Sequence, residues 1–320
     1  MTDSPFHRLA VSGVLGLHPY QPGKPLSELE REYGIRDAVK LASNENPLGP
    51  STAVREALEH AVTDVPRYPD GNGFALKAAL SARHGWEPST ITLGNGSNDV
   101  LDMVARAFLG PGREAVFSEH AFVVYPIATQ AVGATARVAK ARDHGHDLDA
   151  MAALVSDRTS VVFIANPNNP TGTWLRAAEL EAFIAGLPDH VICVVDEAYF
   201  EYVDEPDYPD ASQWLERFPR LIVTRTFSKA YGLAALRVGF GISHPDVADL
   251  LNRVRHPFNV NEFGLAAAVA ALGDEAHLRD SVALNTRGRA RLGAAFEGLG
   301  LSAIESVGNF ITVDVGRGAA

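Results

Sequence analysis

Short apolar runs alternate with amphipathic segments through the middle of the chain. The runs at 160–165 and 191–195 are apolar on both faces and rich in β-branched residues, which is typical of strands buried in a parallel sheet. Two further short strands and the helix between them continue the alternation at 91–93, 100–109 and 115–118. Strands that alternate with helices up to Val223 predict an α/β fold, with a mostly parallel central sheet sandwiched by helices.

The part of the chain before the first predicted strand shows the periodicity of helices. The segment 52–62 places its apolar residues on one helical face. The segment 74–84 has the same pattern, and Gly85 is the kind of residue that ends a helix. We therefore expect two helices between the N-terminal region and the sheet.

The pattern changes again after Pro257. A helix is predicted at 262–272, a broken helical stretch at 275–299 and a strand at 310–315. Residues 1–44 are rich in Pro and Gly and have only short apolar stretches. We predict a large domain at 45–255 and a smaller α/β domain at 256–320, with 1–44 forming an N-terminal arm and part of the smaller domain.

Composition and charge narrow the class of protein. The chain has 320 residues, 46% hydrophobic and 21% charged, as in ordinary soluble globular proteins. Its formal charge of −11 gives no basic surface for nucleic acid or anionic membranes, so neither partner is expected. The first ten residues do not resemble a signal peptide, and no apolar run reaches the roughly 18 residues of a spanning helix. These features favour a cytoplasmic location.

The segment TFSKAYGLAALRVG, at 226–239, places one lysine among apolar and small residues. Partial loss of hydration lowers the pKa of such a lysine, so a fraction is the free amine that attacks a carbonyl. Arg237 follows Lys229 by eight positions, and its planar guanidinium can hold a dianionic phosphate. A nucleophilic lysine beside a phosphate anchor is what pyridoxal 5'-phosphate (PLP) requires. A surface lysine with an unrelated arginine is the alternative.

Two polar motifs follow the two buried runs. NPNNPTG occupies 166–172, and VVDEAY occupies 194–199. Ligands of parallel sheets bind at the carboxyl ends of the strands, where both motifs lie. Asp196 ends a buried strand, where a carboxylate is costly unless a cation or hydrogen-bond donors meet it, and a protonated pyridine nitrogen would be such a cation. An ion pair or helix cap for Asp196, and a plain turn for the Asn-Pro run, are the alternatives.

The turn GNGSN at 94–98 lies between a predicted strand and a predicted helix. A Gly-rich turn that leads into a helix N-terminus offers free N–H groups and the positive end of the helix dipole, which suit a phosphate. The histidines show no spacing typical of a metal site, so no metal is predicted. His144 and His146 are two positions apart in a polar loop and are predicted to be solvated.

These motifs together resemble those of the fold-type I PLP-dependent aminotransferases, and within them the histidinol-phosphate aminotransferase family. The resemblance covers nearly the whole chain from about Tyr20. Seven motifs carry it in the family's order: LASNENPLGP at 41–50, RYPD at 67–70, GNGSND at 94–99, NPNNPTG, VVDEAY, the TFSKAYGLAALRVG block and PFNVNE at 257–262. It implies transamination between L-histidinol phosphate and 2-oxoglutarate in histidine biosynthesis.

Three other functions share the same scaffold and remain open. They are an aromatic amino-acid aminotransferase, a PLP-dependent decarboxylase of a phosphorylated amino acid, and a PLP-binding protein with impaired catalysis.

The resemblance implies a role for each matching residue. Lys229 is the catalytic lysine that holds PLP, and Asp196 pairs with the protonated pyridine nitrogen. Tyr199 and Asn169 bond to the ring oxygen O3′, and Phe122 stacks on the ring, although a core phenylalanine is an equal alternative. The cofactor phosphate is assigned to Ser97, Asn98, Thr226, Ser228 and Arg237.

Partners and substrate contacts also follow from the resemblance. Tyr68 matches a tyrosine that the family contributes to the PLP phosphate of a neighbouring subunit, which implies a homodimer with shared sites. A tyrosine packed before a turn is the alternative. Tyr20, Asn44 and Asn259 match positions near the small-molecule substrates, and turn or loop chemistry is the alternative for all three.

The end of the chain departs from the family pattern. The resemblance implies further small-domain strands and a helix, which carry an arginine that pairs with the substrate carboxylate. No residue here can be assigned that role, since Arg317 is too early in the pattern. The small domain is therefore expected to be incomplete, and the chain to be a fragment or weak in substrate binding.

Overall fold

A computed structural model describes residues 5–19, 23 and 25–316 of the chain. A sheet of seven strands lies at its centre. The strands are β1 (Ile91–Gly94), β2 (Glu114–Ser118), β3 (Thr135–Ala139), β4 (Thr159–Ala165), β5 (Ile192–Asp196), β6 (Leu221–Thr226) and β7 (Gly239–Ser243). A separate pair is formed by β8 (Ser302–Ala303) and β9 (Val313–Asp314).

The strand order is β1-β7-β6-β5-β4-β2-β3. Strands β6, β5, β4, β2 and β3 run parallel to one another, and β7 runs antiparallel to both of its neighbours, β1 and β6. The α/β prediction with a mostly parallel sheet is confirmed. The carboxyl ends of β4, β5 and β6 consequently meet at one edge of the sheet.

Helices cover both faces of this sheet. They are α1 (Ser12–Leu15), α2 (Leu26–Tyr33), α3 (Thr52–Ala61), α4 (Phe74–His84), α5 (Ser97–Phe108), α6 (Val124–Ala131), α7 (Leu148–Ala153), α8 (Ala177–Gly186), α9 (Pro245–Val254), α10 (Glu262–Gly273) and α11 (Glu275–Gly298). Single 3-10 turns occur at Pro5–Arg8, Val62–Asp64, Pro88–Thr90, Phe200–Tyr202, Ala211–Trp214 and Ala234–Leu236. No helix within the described residues is long and apolar enough to span a membrane.

Side chains of the buried strands divide between two apolar clusters, one on each face. In β4, Val162 and Ile164 belong to one cluster, and Val161 and Phe163 belong to the other. This division follows from the two-residue period of a strand, because successive side chains point to opposite faces. Both faces are covered, which explains why the run has no polar position between Val161 and Ala165.

The predicted domain division remains a prediction. All seven strands of the main sheet fall between Ile91 and Ser243, inside the proposed large domain. Helix α10, which belongs to the proposed smaller domain, packs against α3 and α4 of the larger one.

Two expectations for the C-terminal region are wrong. The broken stretch at 275–299 is one continuous helix, α11, since the cost of a glycine in a helix, about 1 kcal/mol, is too small for Gly288 or Gly293 to interrupt it. The strand expected at 310–315 is shorter, because only β9 (Val313–Asp314) is extended and paired as a strand. Asn309 and Phe310, near its start, instead contact residues at the carboxyl edge of the main sheet. Asn309 Nδ2 donates to the Asn44 carbonyl at 3.0 Å, and the Phe310 ring lies edge-on to Tyr199 at 5.1 Å.

A buried ion-pair cluster lies next to the carboxyl ends of β5 and β6. The Arg225 side chain donates to Glu197 Oε2 through Nε at 2.9 Å and Nη2 at 2.7 Å, and to Asp210 Oδ1 at 2.6 Å. Arg225 and Glu197 are both almost fully buried, and the guanidinium carbon lies 3.6 Å from the centroid of the Phe200 ring. Desolvation raises the pKa of Glu197 to about 7, against the opposing effect of Arg225.

We expect Arg225→Met to lower the free energy of unfolding of the cofactor-free protein by about 3–5 kcal/mol, because Glu197 would lose its buried cation. Urea denaturation measures the loss. The matched control is Arg220→Met, since Arg220 pairs with exposed Asp189 at 2.8 Å. That exposed pair should contribute less than about 1 kcal/mol. Equal losses in the two variants would contradict a stabilising role for the buried cluster.

Candidate active site

A cavity of about 360 Å³ opens at the carboxyl ends of β4, β5 and β6. Ala165, Asp196 and Thr226, the last residues of these three strands, all line it. Eleven of the residues predicted from the sequence also line this cavity: Asn44, Ser97, Asn98, Phe122, Asn169, Asp196, Tyr199, Thr226, Ser228, Lys229 and Arg237. The motifs are far apart in the chain, and the sheet edge brings them together.

Lys229 follows β6 and turns its amine into the cavity. Its Nζ donates to the Ser43 carbonyl at 3.1 Å and lies 5.6 Å from the centroid of the Tyr199 ring. Burial lowers the pKa of Lys229 to about 8, and the nearby positive charge of Arg237 adds to this effect. In a fraction of the molecules, Lys229 is therefore the neutral, nucleophilic amine near neutral pH.

An anion site lies beside this lysine. Helix α5 begins at Ser97, so the N–H groups of its first turn point out of the helix end. Arg237 Nη1 donates to Ser228 Oγ at 3.3 Å and to the Ala234 carbonyl at 3.1 Å. The Ser228 amide donates to Thr226 Oγ1 at 3.1 Å. A guanidinium, hydroxyls and a helix N-terminus together fit a phosphate.

Two glycines make room for this arrangement. A Cβ on Gly96 would lie 2.6 Å from Arg237 Nη2, and Gly96 has φ +82°, which L side chains rarely adopt. A Cβ on Gly239 would lie 2.3 Å from the Ser97 amide nitrogen. The turn before α5 therefore packs directly on the backbone of β7, with no space for a methyl group.

Asp196 lies at the bottom of the cavity and is only 4% exposed. Thr224 Oγ1 donates to its Oδ1 at 2.9 Å, and Tyr125 Oη donates to its Oδ2 at 3.0 Å. Desolvation raises the pKa of Asp196, and the hydrogen bonds from Thr224 and Tyr125 act in the opposite direction. No lysine or arginine among the described residues forms an ion pair with this carboxylate. The position accordingly suits a cationic ligand group.

The Tyr199 hydroxyl accepts two amide hydrogens. Asn44 Nδ2 donates to it at 3.0 Å and Asn169 Nδ2 at 3.1 Å. Burial raises the pKa of Tyr199 far above its ordinary value, so the phenol is neutral. Because the oxygen accepts both amides, its own hydrogen is available to a ligand in the cavity.

The backbone around the cavity is unusual. Among the described residues, seven that are not glycine have positive φ, and three of these line the cavity: Ser43 at 74°, Asn44 at 52° and Arg237 at 56°. Such conformations cost about 1–3 kcal/mol each and tend to cluster at functional sites. Their location supports a functional role for this edge of the sheet.

Phe122 lies on the cavity wall immediately before α6. Its ring meets Tyr125 edge-on, with centroids 5.9 Å apart and an interplanar angle of 86°. Phe122 is only partly buried, so one part of the ring remains available for a flat ligand.

Two predicted residues in the described part of the chain, Asn259 and Tyr68, do not line the cavity. Asn259 donates to the Leu93 carbonyl at 3.1 Å and to Asp99 Oδ2 at 2.6 Å, which places it behind the turn that precedes α5. Tyr68 is 83% exposed and stacks on Phe258 with centroids 4.8 Å apart. Tyr20 lies outside the described residues, as does Arg317. The roles assigned to Asn259, Tyr68 and Tyr20 remain predictions, and Arg317 has no assigned role.

The expectation for His146 is wrong. Its Nε2 lies 2.8 Å from the Ala165 carbonyl, and burial lowers the pKa of the ring. The loop folds against the end of β4 instead of extending into solvent. No group of three or more His, Cys, Asp or Glu side chains in the described parts of the chain could hold a metal ion.

Sequence reasoning missed Tyr125, Thr224 and the Ser43 carbonyl. Thr224 could have been found, because it precedes Thr226 by two positions and so points to the same side of the strand. Tyr125 carries no comparable pattern, since an aromatic residue at the start of a helix is usually a core residue. The Ser43 contact depends on a backbone carbonyl, whose position no side-chain pattern predicts.

The residues present fit PLP. The anion site suits the phosphate, and Phe122 suits one face of a flat ring. Buried Asp196, which forms no ion pair within the described residues, suits a protonated ring nitrogen, and the Tyr199 hydroxyl suits a ring oxygen. Lys229 supplies an amine beside them with its pKa lowered to about 8.

Comparisons with known proteins agree with this interpretation. A family model described as aminotransferase class I and II matches residues 36–320. Histidinol-phosphate aminotransferase 1 of Nitrosococcus oceani is 57% identical over 98% of this chain and 85% of its own length. Histidinol-phosphate aminotransferase 2 of Methylococcus capsulatus is 60% identical over 97% of this chain and 85% of its own length.

Solved structures give the same answer. Histidinol-phosphate aminotransferase from Sinorhizobium meliloti, in complex with pyridoxal-5'-phosphate, matches 96% of this chain and 83% of its own. The TM-score is 0.88 and the sequence identity is 31%. The family resemblance predicted from the seven motifs is confirmed. The chain therefore belongs to the class I and II aminotransferases and, within them, to the histidinol-phosphate aminotransferase family.

Proposed function

We propose that this chain is a PLP-dependent transaminase that exchanges an amino group between L-histidinol phosphate and 2-oxoglutarate in histidine biosynthesis. The observation that carries the proposal is the single cavity in which Lys229, Asp196, Tyr199 and Arg237 converge. The amino donor is inferred from two relatives, 57% and 60% identical, whose names are histidinol-phosphate aminotransferase 1 and 2. The acceptor, 2-oxoglutarate, is inferred from the family resemblance of the motifs.

PLP supplies a carbonyl that combines with amines and a ring that takes up electrons when a Cα–H bond breaks. Lys229 would hold the cofactor through its amine, and the same amine would accept and return the Cα proton of the substrate. A pKa of about 8 suits this task, because an amine near neutral pH can both accept and return a proton. No other lysine lines the cavity in the described part of the chain.

Asp196 keeps a proton on the ring nitrogen. Its carboxylate is desolvated, so a positive charge placed beside it is held more strongly than it would be in water. The hydroxyl hydrogens of Thr224 and Tyr125 already occupy one position on each oxygen. The remaining acceptor capacity faces the cavity.

Tyr199 and the anion site orient the ring at its other positions. The Tyr199 hydroxyl, held by Asn44 and Asn169, donates toward the ring oxygen beside the reacting carbon. Arg237, Ser228, Thr226 and the first turn of α5 hold the phosphate. Fixing the cofactor at both ends limits its rotation while Lys229 acts.

The proposal is tested by a half-reaction. Holoenzyme mixed with L-histidinol phosphate should lose the absorbance of bound PLP much faster than holoenzyme mixed with phenylalanine. Borohydride reduction before substrate is added, followed by peptide mass mapping, should place the pyridoxyl group on Lys229. Lys229→Ala should lose transamination by several orders of magnitude.

Three results would contradict the proposal. They are a pyridoxyl label on another lysine, equal rates with phenylalanine, and release of carbon dioxide from phenylalanine in place of amino transfer.

The pKa of Lys229 gives a separate prediction for the cofactor-free protein. Competitive labelling with an amine reagent should show Lys229 half-reactive near pH 8, since burial and Arg237 both disfavour its charged form. Lys140 is the control, because its bond to Glu119 raises its pKa above the ordinary 10.5. Peptide mass spectrometry measures both sites in one sample. A half-reactive point for Lys229 at or above that of Lys140 would contradict the assigned environment.

A homodimer with shared sites is part of the proposal. Tyr68 does not line the cavity of its own chain, and it is exposed together with nearby apolar side chains. These neighbours are Val62, Val65, Phe74 and Phe258. An exposed apolar group of this kind suits a contact with a second copy, through which Tyr68 would reach the partner's anion site. A cytoplasmic location, without nucleic-acid or membrane partners, also remains a proposal.

Mixed dimers test the shared site. Equal amounts of Lys229→Ala and Tyr68→Phe chains, unfolded and refolded together, should regain about a quarter of the wild-type activity, since half of the dimers then contain one intact site. The control mixture is Lys229→Ala with Asp196→Asn. Both changes lie in the same cavity, so no mixed dimer has an intact site. Equal recovery in the two mixtures, or none in the first, would show that Tyr68 serves its own chain.

A further inference from the structure

Two hydroxyl groups hold the carboxylate of Asp196 from opposite sides. Thr224 donates to Oδ1 at 2.9 Å, and Tyr125 donates to Oδ2 at 3.0 Å. Thr224 and Tyr125 are both fully buried, and Asp196 is 4% exposed. The backbone N–H of Ala198 also acts to lower the pKa of Asp196. The carboxylate therefore has a hydroxyl donor on each oxygen and little access to water.

The position of the Tyr125 hydroxyl is set by ring packing. Its ring stacks on Phe163 of β4, with centroids 4.9 Å apart and planes 9° from parallel. Phe122 meets it edge-on, and Phe117 lies on another side at 6.4 Å. Burial raises the pKa of Tyr125 well above its ordinary value, so the phenol stays protonated and acts as a donor.

The position of the Thr224 hydroxyl is set by the sheet. Asp196 and Thr224 are register partners in the parallel pair of β5 and β6. The Thr224 side chain therefore points to the same face as that of Asp196. Neither Thr224 nor Tyr125 lines the cavity, so both act on a ligand only through the carboxylate.

We propose that Tyr125 and Thr224 are positioning residues, which hold the Asp196 carboxylate ionised and aimed at the pyridine nitrogen of PLP. The inference rests on the proposed function, because it takes PLP as the ligand. Without the two donors, a carboxylate at this depth rotates about its χ2 angle and takes up a proton more readily.

A competing effect runs in the opposite direction. Each donor withdraws electron density from the carboxylate, so its removal makes the oxygens stronger acceptors for a ring N–H. We expect the loss of carboxylate orientation and ionisation to weaken PLP binding more than the stronger acceptor oxygens would improve it. The structure supports that order, since Asp196 has no lysine or arginine partner among the described residues that would keep it ionised on its own.

The test compares two cofactors in cofactor-free enzyme. PLP is titrated against wild type and Tyr125→Phe, and so is its 1-deaza analogue, in which a C–H group replaces the ring nitrogen. Tyr125→Phe should raise the Kd for PLP about tenfold, since hydrogen bonds to charged groups are among the stronger ones. The Kd for the deaza analogue should change less than twofold. A loss of affinity for PLP but not for the deaza analogue would locate the effect at the ring nitrogen. A general destabilisation of the fold would weaken the binding of both cofactors equally.

Tyr208→Phe is the matched control. Its hydroxyl donates to the Asn166 carbonyl at 2.5 Å, so the change also removes one hydroxyl hydrogen bond, from a side chain that does not face the cavity. Both Kd values should stay within twofold of wild type. Thermal unfolding of the cofactor-free variants checks that all are folded.

A second pair of variants keeps the test decisive if Tyr125→Phe does not fold. Thr224→Val removes the other hydroxyl at nearly constant volume, and Thr224→Ser retains it. Valine should give the selective loss of PLP affinity, and serine should restore it.

Equal losses with both cofactors, or unchanged or tighter PLP binding, would overturn the proposal. Failure of wild-type enzyme to bind PLP would instead overturn the proposed function.

Discussion

The molecule depends on the burial of two consecutive carboxylates at the end of β5. Asp196 and Glu197 are both removed from water, and desolvation raises the pKa of each. Glu197 meets a cation within the chain, the guanidinium of Arg225. Asp196 accepts from neutral groups, the hydroxyls of Tyr125 and Thr224 and the backbone N–H of Ala198, and forms no ion pair with a lysine or arginine among the described residues. One carboxylate is therefore neutralised by folding, and the other remains short of a positive charge that a ligand can supply.

This difference explains how the fold and the site are built from the same strands. β6 contributes Arg225 to one face of the sheet and Thr224 and Thr226 to the other, because adjacent side chains alternate. The Arg225 cluster stabilises the sheet edge on its own face. On the opposite face the same strand end supplies Thr224, one of the hydroxyl donors to Asp196, and, three residues after Thr226, the amine of Lys229.

Most of the strands and most of the residues that line the cavity could be predicted from the sequence. Buried strands such as 160–165 are recognisable because both faces are apolar, and polar motifs that follow them must meet at one edge. Lys229 and Asp196 were therefore predictable. Tyr125 was not, since its hydroxyl reaches Asp196 only through the stacking of its ring on Phe163, a contact between distant segments. Asn259 and His146 were assigned from local sequence, and the structure places both in backbone contacts behind the cavity wall.

The contact between Gly239 and the turn before α5 sets a limit on the anion site. With a Cβ position on Gly239 only 2.3 Å from the Ser97 nitrogen, the turn already rests on the backbone of β7 and has no room to move toward it. The turn therefore forms a rigid side of the anion site, because its backbone is in direct contact with the backbone of β7. The Arg237 side chain lies against the same turn, with Nη2 beside Gly96, but it has several rotatable bonds. Adjustment to the size of a bound anion must therefore come from rotation of the Arg237 side chain, because the backbone of the turn before α5 is held in place.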